Sequence, residues 1–407
     1  MDVSLPSFAA QPLIYLGLLL GILVVPKALQ RFRIPGPITC LFFGIGMSLW
    51  GGDYHQNPTL ILLSVFGIAS LFLFAGLEVS LSDLIKYRLP ILTHLVVTLA
   101  IVAICTWLGM RFLTLSWQAA TLVALALFIP STGFILDSLS QFGLSESEQF
   151  WVTLKAVTSE LLALALMFVA LQSDSLTHLA LSSAVMLAMA ILLPFLFLLF
   201  GRIVLPYAPG SEFTFLVLMG VIAASITKEL GVYYLVGAFL VGFLARQLRE
   251  RMPSLAPDSI LQSVKLFASF FVPFYFFQGG VSVPLEALSW SALLLGIGVT
   301  AVVLPLRVLI VWVQRRVIFH ESFRSSLRVS IALSPTLIFT LVLAAVLRER
   351  FGVSDTLYGA LLVYTILSTI MPSFLLPKAI DFDVAANFNP IEVHRVPAVG
   401  ETLMDQD

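Results

Sequence analysis

The sequence predicts an all-α polytopic membrane protein of about 13 transmembrane helices, built as inverted repeats with two broken crossing helices. Three observations carry that expectation. Of the 407 residues, 59% are hydrophobic and only 11% charged, less than half the roughly 25% charge of a soluble domain. Apolar stretches of spanning length follow one another along nearly the whole chain, and the mean hydropathy is +1.03. Two of those stretches are interrupted by a proline inside a cluster of hydroxyl residues. Soluble enzymes, nucleic-acid binders and secreted disulfide scaffolds are excluded by the first observation alone. The 22 basic and 23 acidic residues, net charge −1, give no electrostatic reason to bind nucleic acid either.

A helix crosses a hydrocarbon core of about 30 Å with about 20 apolar residues, at about 1.5 Å of rise each. Stretches of that kind lie near 12–29, 34–50, 58–77, 89–110, 117–140, 149–171, 178–200, 212–229, 231–245, 262–281, 287–313, 323–347 and 356–376. The opening MDVSLPSFAAQP lacks a basic n-region and a small-residue cleavage site, so the first stretch is expected to be a retained span. The ninth is the shortest and is expected to be tilted or partly re-entrant. Residues 1–378 thus form one membrane domain, and 379–407 a short polar tail too small to fold alone. Cys40 and Cys105 both fall in apolar stretches, with no metal-ligand spacing, and are expected to act as buried small hydrophobes.

Lys and Arg in short loops set the orientation. One set of alternate loops holds Lys27, Arg31, Arg33, Lys86, Arg88, Arg202, Arg246, Arg249, Arg251, Arg315, Arg316, Arg324 and Lys378; the other holds Arg111, Lys228, Arg348 and Arg350. This bias predicts the N-terminus outside the cell membrane and the C-terminus, with Arg395, in the cytoplasm.

A charged group at membrane depth costs about 2.5 kcal/mol or more, which makes each one a functional candidate. Glu160, in KAVTSELLALALM, is the one carboxylate placed unambiguously deep. Arg307, in VVLPLRVLIVW, lies eight residues before Arg315, or about 12 Å deeper. The two form a candidate pair of opposite charges. They are either a fixed link between helices or a working site in which Glu160 alternately holds a proton and a cation, with Arg307 as its charge partner. Asp137 and Glu78, about one turn from the cytoplasmic ends of their spans, and Lys155 are secondary candidates. The five histidines, His55, His94, His178, His320 and His394, fall in loops or at span ends, and His94 is expected to be interfacial. No HExxH or G-x-S-x-G occurs, so neither an enzyme nor a cofactor is expected.

The broken helices read ALALFIPSTGFILDSL and VSIALSPTLIFTLVLA. Proline removes a backbone donor, and irregular backbone is tolerated at membrane depth only where protein or a water-filled cavity satisfies it. Around Pro130 the hydroxyls of Ser131 and Thr132, and around Pro335 those of Ser334 and Thr336, supply oxygens suited to Na+ or K+. The two segments are seven spans apart, an odd offset, so they cross in opposite directions. Paired broken segments in corresponding positions point to a transporter's binding site. The same offset relates the span of Glu160 to the last span and places Arg307 beside the second break.

These residues resemble the monovalent cation:proton antiporters of the Kef-like and NapA-like kind, which share the NhaA-type fold. RIPGPITCLFFGIGMSL is similar to the family's second helix, LFLFAGLEVSLSDL to its F-x-x-G-L-E signature, with Glu78 in the acidic place, LVGAFLVGFLAR to its Gly-rich ninth helix, and FFVPFYFFQGGVSV to its tenth. The resemblance implies that PST at 130–132 and SPT at 334–336 are the crossing breaks, that Glu160 stands in the place of the ion-binding aspartate and Arg307 in that of the helix-11 base. It implies a monovalent cation held by Glu160 and Thr132 with Ser159 and Ser131 beside them. It also implies a homodimer, with core helices at about 89–171 and 287–376 moving against a scaffold at about 12–77 and 178–281. Ser159 and a glutamate replace the usual Asp, Asn or Gln followed by aspartate, so ion preference is not carried over. One deep carboxylate and an arginine that does not deprotonate imply electroneutral exchange. A cation-coupled organic-anion symporter, or a non-transporting sensor with Glu160 and Arg307 as a fixed pair, are the alternatives. The nucleotide-binding domain of Kef-type proteins is absent from this sequence.

Overall fold

The computed structural model describes residues 7–50, 54–232, 234–249 and 258–377. The helices in order are α1 Ser7–Gln30, α2 Gly36–Leu49, α3 Pro58–Leu77, α4 Leu81–Lys86, α5 Arg88–Phe112, α6 Trp117–Phe128, α7 Thr132–Ser138, α8 Glu146–Gln172, α9 Leu176–Leu199, α10 Glu212–Glu229, α11 Tyr234–Arg249, α12 Asp258–Val281, α13 Trp290–Ile318, α14 Phe323–Ala332, α15 Leu337–Phe351 and α16 Asp355–Leu375. No strand occurs among the described residues. Each apolar stretch coincides with one helix or, at 117–140 and 323–347, with two in tandem. The expected tail, Arg251, Lys378, His394 and Arg395 lie outside the described residues.

Among the described residues, eight helical segments are long and apolar enough to cross a bilayer, and α14 with α15, bent by 42° at their break, makes a ninth. α2 and α11 qualify only as shorter apolar helices, α1 is a 24-residue helix of which Leu16–Gln30 is apolar, and α10 carries Glu212, Lys228 and Glu229 at its ends. Among the described residues length and composition thus identify up to nine crossings, which does not confirm the thirteen expected. The chain is a multi-pass membrane protein. α11 is one unbroken helix, packed on α3 and α10, and shows no re-entrant break.

Loop polar residues start these helices by bonding their free N–H groups. Asn57 accepts from the N–H groups of Thr59 and Leu60 at the start of α3. Ser145 and Glu148 form a reciprocal capping box on α8. Ser116, Ser289, Ser322 and Ser354 cap α6, α13, α14 and α16.

α2, α3, α10, α11 and α12 pack chiefly on one another, with α1 and α9 at their edges; α5, α6, α8 and α13 to α16 form a second such group. In the first group glycines let backbones touch. A Cβ on Gly242 would collide with the Leu73 carbonyl of α3, one on Gly76 with the Phe239 carbonyl of α11, and one on Gly280 with the Leu41 carbonyl of α2. α7 bridges the groups: it lies on α8, and its Gly133 packs against Leu71 of α3.

Candidate functional site

The two broken helices cross at their breaks. Pro130 has no N–H and pushes Ile129 into extended geometry (φ −86, ψ 127), which ends α6. Pro194, Pro273, Pro305 and Pro372 lie inside continuous helices, so proline alone does not make the break. At the crossing each helix satisfies the other's freed groups. Ser131 N–H donates to the Pro335 carbonyl (2.8 Å), Ile338 N–H to Ser131 Oγ (3.3 Å), and the Thr340 hydroxyl to the Ala126 carbonyl (2.6 Å).

Arg307 is buried and serves this crossing. Its guanidinium donates to the carbonyls of Ser334 (2.9 Å) and Leu333 (3.1 Å) at the end of α14, and to Tyr364 Oη (2.9 Å). Tyr364 in turn donates to the Leu127 carbonyl at the end of α6 (2.5 Å). One cation thus lies at the negative end of one half-helix and reaches the other through a tyrosine. The expected ion pair with Glu160 is not formed. The carbonyls left bare by Pro335 lie nearer and bind a planar fork of donors well. With no such pair, the fixed-link reading of these two residues loses its basis.

Glu160 is 1% exposed, and its Oε2 has no hydrogen-bond partner. The Thr132 side chain stands against this carboxyl, and Thr132 Oγ1, also buried, has no partner either. Buried polar atoms are normally satisfied, so a carboxylate oxygen and a hydroxyl oxygen that stand together with no hydrogen-bond partner of their own form a place for a cation or a proton. The other expected hydroxyls are engaged. Ser131 accepts from Ile338; Ser334 donates to the Ile331 carbonyl (2.7 Å); Thr336 bonds Thr365 (3.1 Å) and Ser368 (3.2 Å) of α16. Among the described residues no cluster of three His, Cys, Asp or Glu could hold a multivalent metal.

A cavity of about 530 Å³ separates the two helix groups and ends at Gly133 and Ile338, next to the breaks. Asp137 is exposed into it, with Lys27, Gln30, Gln141 and Lys265 on the same wall. Asp137 is therefore a cavity residue and not merely an interfacial anchor. Glu78 follows α3 and is half-buried, and burial pushes its carboxyl above the usual carboxylate range against the pull of Arg246 and Lys265.

His94 is buried inside the bundle, 7% exposed. Its Nε2 lies 2.9 Å from Ser159 Oγ and its Nδ1 3.2 Å from Gln314 Oε1. The same Gln314 oxygen accepts from Lys155 Nζ (2.7 Å), a buried ammonium also set 5.6 Å over the Phe319 ring. His94, Gln314, Thr340 and Tyr364 were not marked as site residues by depth or motif. Thr340 and Tyr364 lie in the second broken helix and in α16, and each donates to a carbonyl near the end of α6.

Two broken helices crossing beside a buried carboxylate are the arrangement on which many secondary-transporter folds are built. Residues 16–378 match the transmembrane sodium/hydrogen exchanger family, and the chain belongs to that family. It is 27% identical over 302 residues to the Na+/H+ antiporter NhaS5 of Synechocystis sp.. That match spans 70% of this chain but only 42% of the relative. The fold is similar to that of the sodium proton antiporter MjNhaP1 of Methanocaldococcus jannaschii at pH 8, with TM-score 0.61 and 14% identity over 89% of this chain and 96% of that one. An electron-microscopy structure of the same antiporter matches with TM-score 0.56 and 16% identity, covering 91% and 96%.

Proposed function

We propose that this chain exchanges Na+ or K+ for H+ across the cell membrane by alternating access, one for one. The observation that carries the reading is the facing pair Glu160 Oε2 and Thr132 Oγ1, both buried and neither with a hydrogen-bond partner, where two broken helices cross. A proton and a cation compete for that carboxyl. An empty, charged Glu160 would be carried through a low-dielectric interior at a cost of several kcal/mol, so only a neutralised site moves easily. That penalty couples the two fluxes. Ser159 and Ser131 flank the pair. Pro130, Pro335, Ser334 and Thr336 keep the crossing open, and Arg307 compensates its half-helix ends. An arginine does not deprotonate in proteins, and Glu160 is the most buried carboxyl among the described residues, which supports electroneutral exchange.

The α5, α6–α8 and α13–α16 group is the moving core, and the remaining membrane helices are the scaffold. The Lys and Arg bias puts the 530 Å³ cavity on the cytoplasmic side. On this reading the chain lies in the cell (inner) membrane as a homodimer, with the N-terminus outside.

The test is dye-reported proton movement in proteoliposomes of the purified protein, with Na+, K+ or Li+ added outside, for wild type and Glu160→Gln. Proton movement with one cation, lost in the variant, is expected and names the ion. A folded wild-type protein that moves protons with none of them overturns the reading.

A further inference from the structure

We propose that His94 is a positioning residue of the ion site: it takes the hydroxyl hydrogen of Ser159 and so turns the Ser159 oxygen's lone pairs toward the helix breaks. The inference rests on the antiport reading and deepens it. Three observations support it.

First, Ser159 directly precedes Glu160, is 1% exposed, and has His94 Nε2 as its side-chain partner at 2.9 Å. Second, the direction of that bond is set from the far side of the ring. Lys155 Nζ and His94 Nδ1 both face Gln314 Oε1, an amide oxygen that can only accept, so His94 Nδ1 must carry a hydrogen. No carboxylate pairs with His94, and a buried charge without a partner is costly. The ring is therefore neutral, Nε2 is the acceptor, and Ser159 is the donor.

Third, the Ser159 oxygen that results faces a pocket of about 40 Å³ whose wall includes Pro130 of one break and Ser334 of the other. The cation on that wall is Arg307, and its guanidinium is turned onto Leu333, Ser334 and Tyr364. Thr98 and Ser330 complete the polar lining. Lys155 thus acts at a distance: it orients Gln314, Gln314 orients His94, and His94 orients Ser159.

Two amide replacements separate the two ring contacts. His94→Asn places its amide near Nδ1, keeping Gln314 and losing Ser159; His94→Gln places its amide near Nε2, keeping Ser159. In the same proteoliposomes, His94→Asn is expected to raise the apparent cation KM about tenfold with maximal rate within about twofold. Ser159→Ala should do the same, the Ser159→Ala/His94→Asn double variant should add nothing, and His94→Gln should restore the wild-type KM. An unchanged KM in Ser159→Ala, or a His94→Gln variant as impaired as His94→Asn, overturns the inference while antiport stands. The Ser159→Ala result decides the question alone should His94→Asn fail to fold. A wild type that is silent with every cation overturns the antiport reading itself, and this inference with it.

Discussion

Arg307 should be coupled energetically to Tyr364 and not to Glu160. Arg307→Leu leaves the buried carbonyls of Leu333 and Ser334 without a donor. At about 1–3 kcal/mol for each unsatisfied buried group, the expected loss is roughly 2–6 kcal/mol. Tyr364→Phe strands the Leu127 carbonyl and removes one acceptor from Arg307, for about 1–3 kcal/mol. Because the two side chains share a hydrogen bond, the double variant should be non-additive by about 0.5–3 kcal/mol, whereas Arg307→Leu with Glu160→Gln should add to within about 0.5 kcal/mol. Equilibrium unfolding in mixed detergent micelles, followed by tryptophan fluorescence, measures both cycles. A coupling above about 1 kcal/mol between Arg307 and Glu160, or an Arg307→Leu variant as stable as wild type, would refute the assignment of Arg307 to the crossing carbonyls.

Other outcomes follow from the same geometry. Thr132→Val removes a hydroxyl that bonds nothing, so stability should change by less than about 1 kcal/mol while apparent cation affinity falls, which the unfolding and transport assays read separately. Gly242→Leu drives a side chain into the Leu73 carbonyl of α3 and should cost about 3 kcal/mol or more, seen as loss of the monodisperse peak in size-exclusion chromatography. In a Cys40→Ser/Cys105→Ser background, Asp137→Cys should react with a membrane-impermeant thiol reagent from the cytoplasmic face only; labelling from the opposite face would reverse the proposed orientation.

Much of the site was readable before any fold. Glu160 stood out because a lone carboxylate in an apolar run is costly. The breaks at Pro130 and Pro335 stood out because hydroxyl residues flank them in two oppositely directed spans. The pairing of Glu160 with Arg307 was inferred from shared depth and opposite sign, and depth is what a one-dimensional pattern reports. Direction around the helix axis is another matter. The apolar residues of α5, α13 and α15 are spread over all faces, so sequence periodicity does not say which side of α5 carries His94 inward or which side of α13 aims Arg307 at α14.

By itself the sequence determined that this chain lives in a bilayer, where its helices run, which two are broken and which carboxylate is deep, because each follows from hydrophobicity, helical rise and the missing N–H of proline. The tertiary structure alone decided that Arg307 serves the crossing carbonyls, that Thr336 is tied to Thr365 and Ser368, and that His94 holds Ser159. Those choices depend on the rotation and packing of whole helices, fixed by glycine contacts such as Gly242 on Leu73 and by hydrogen bonds between residues more than two hundred positions apart.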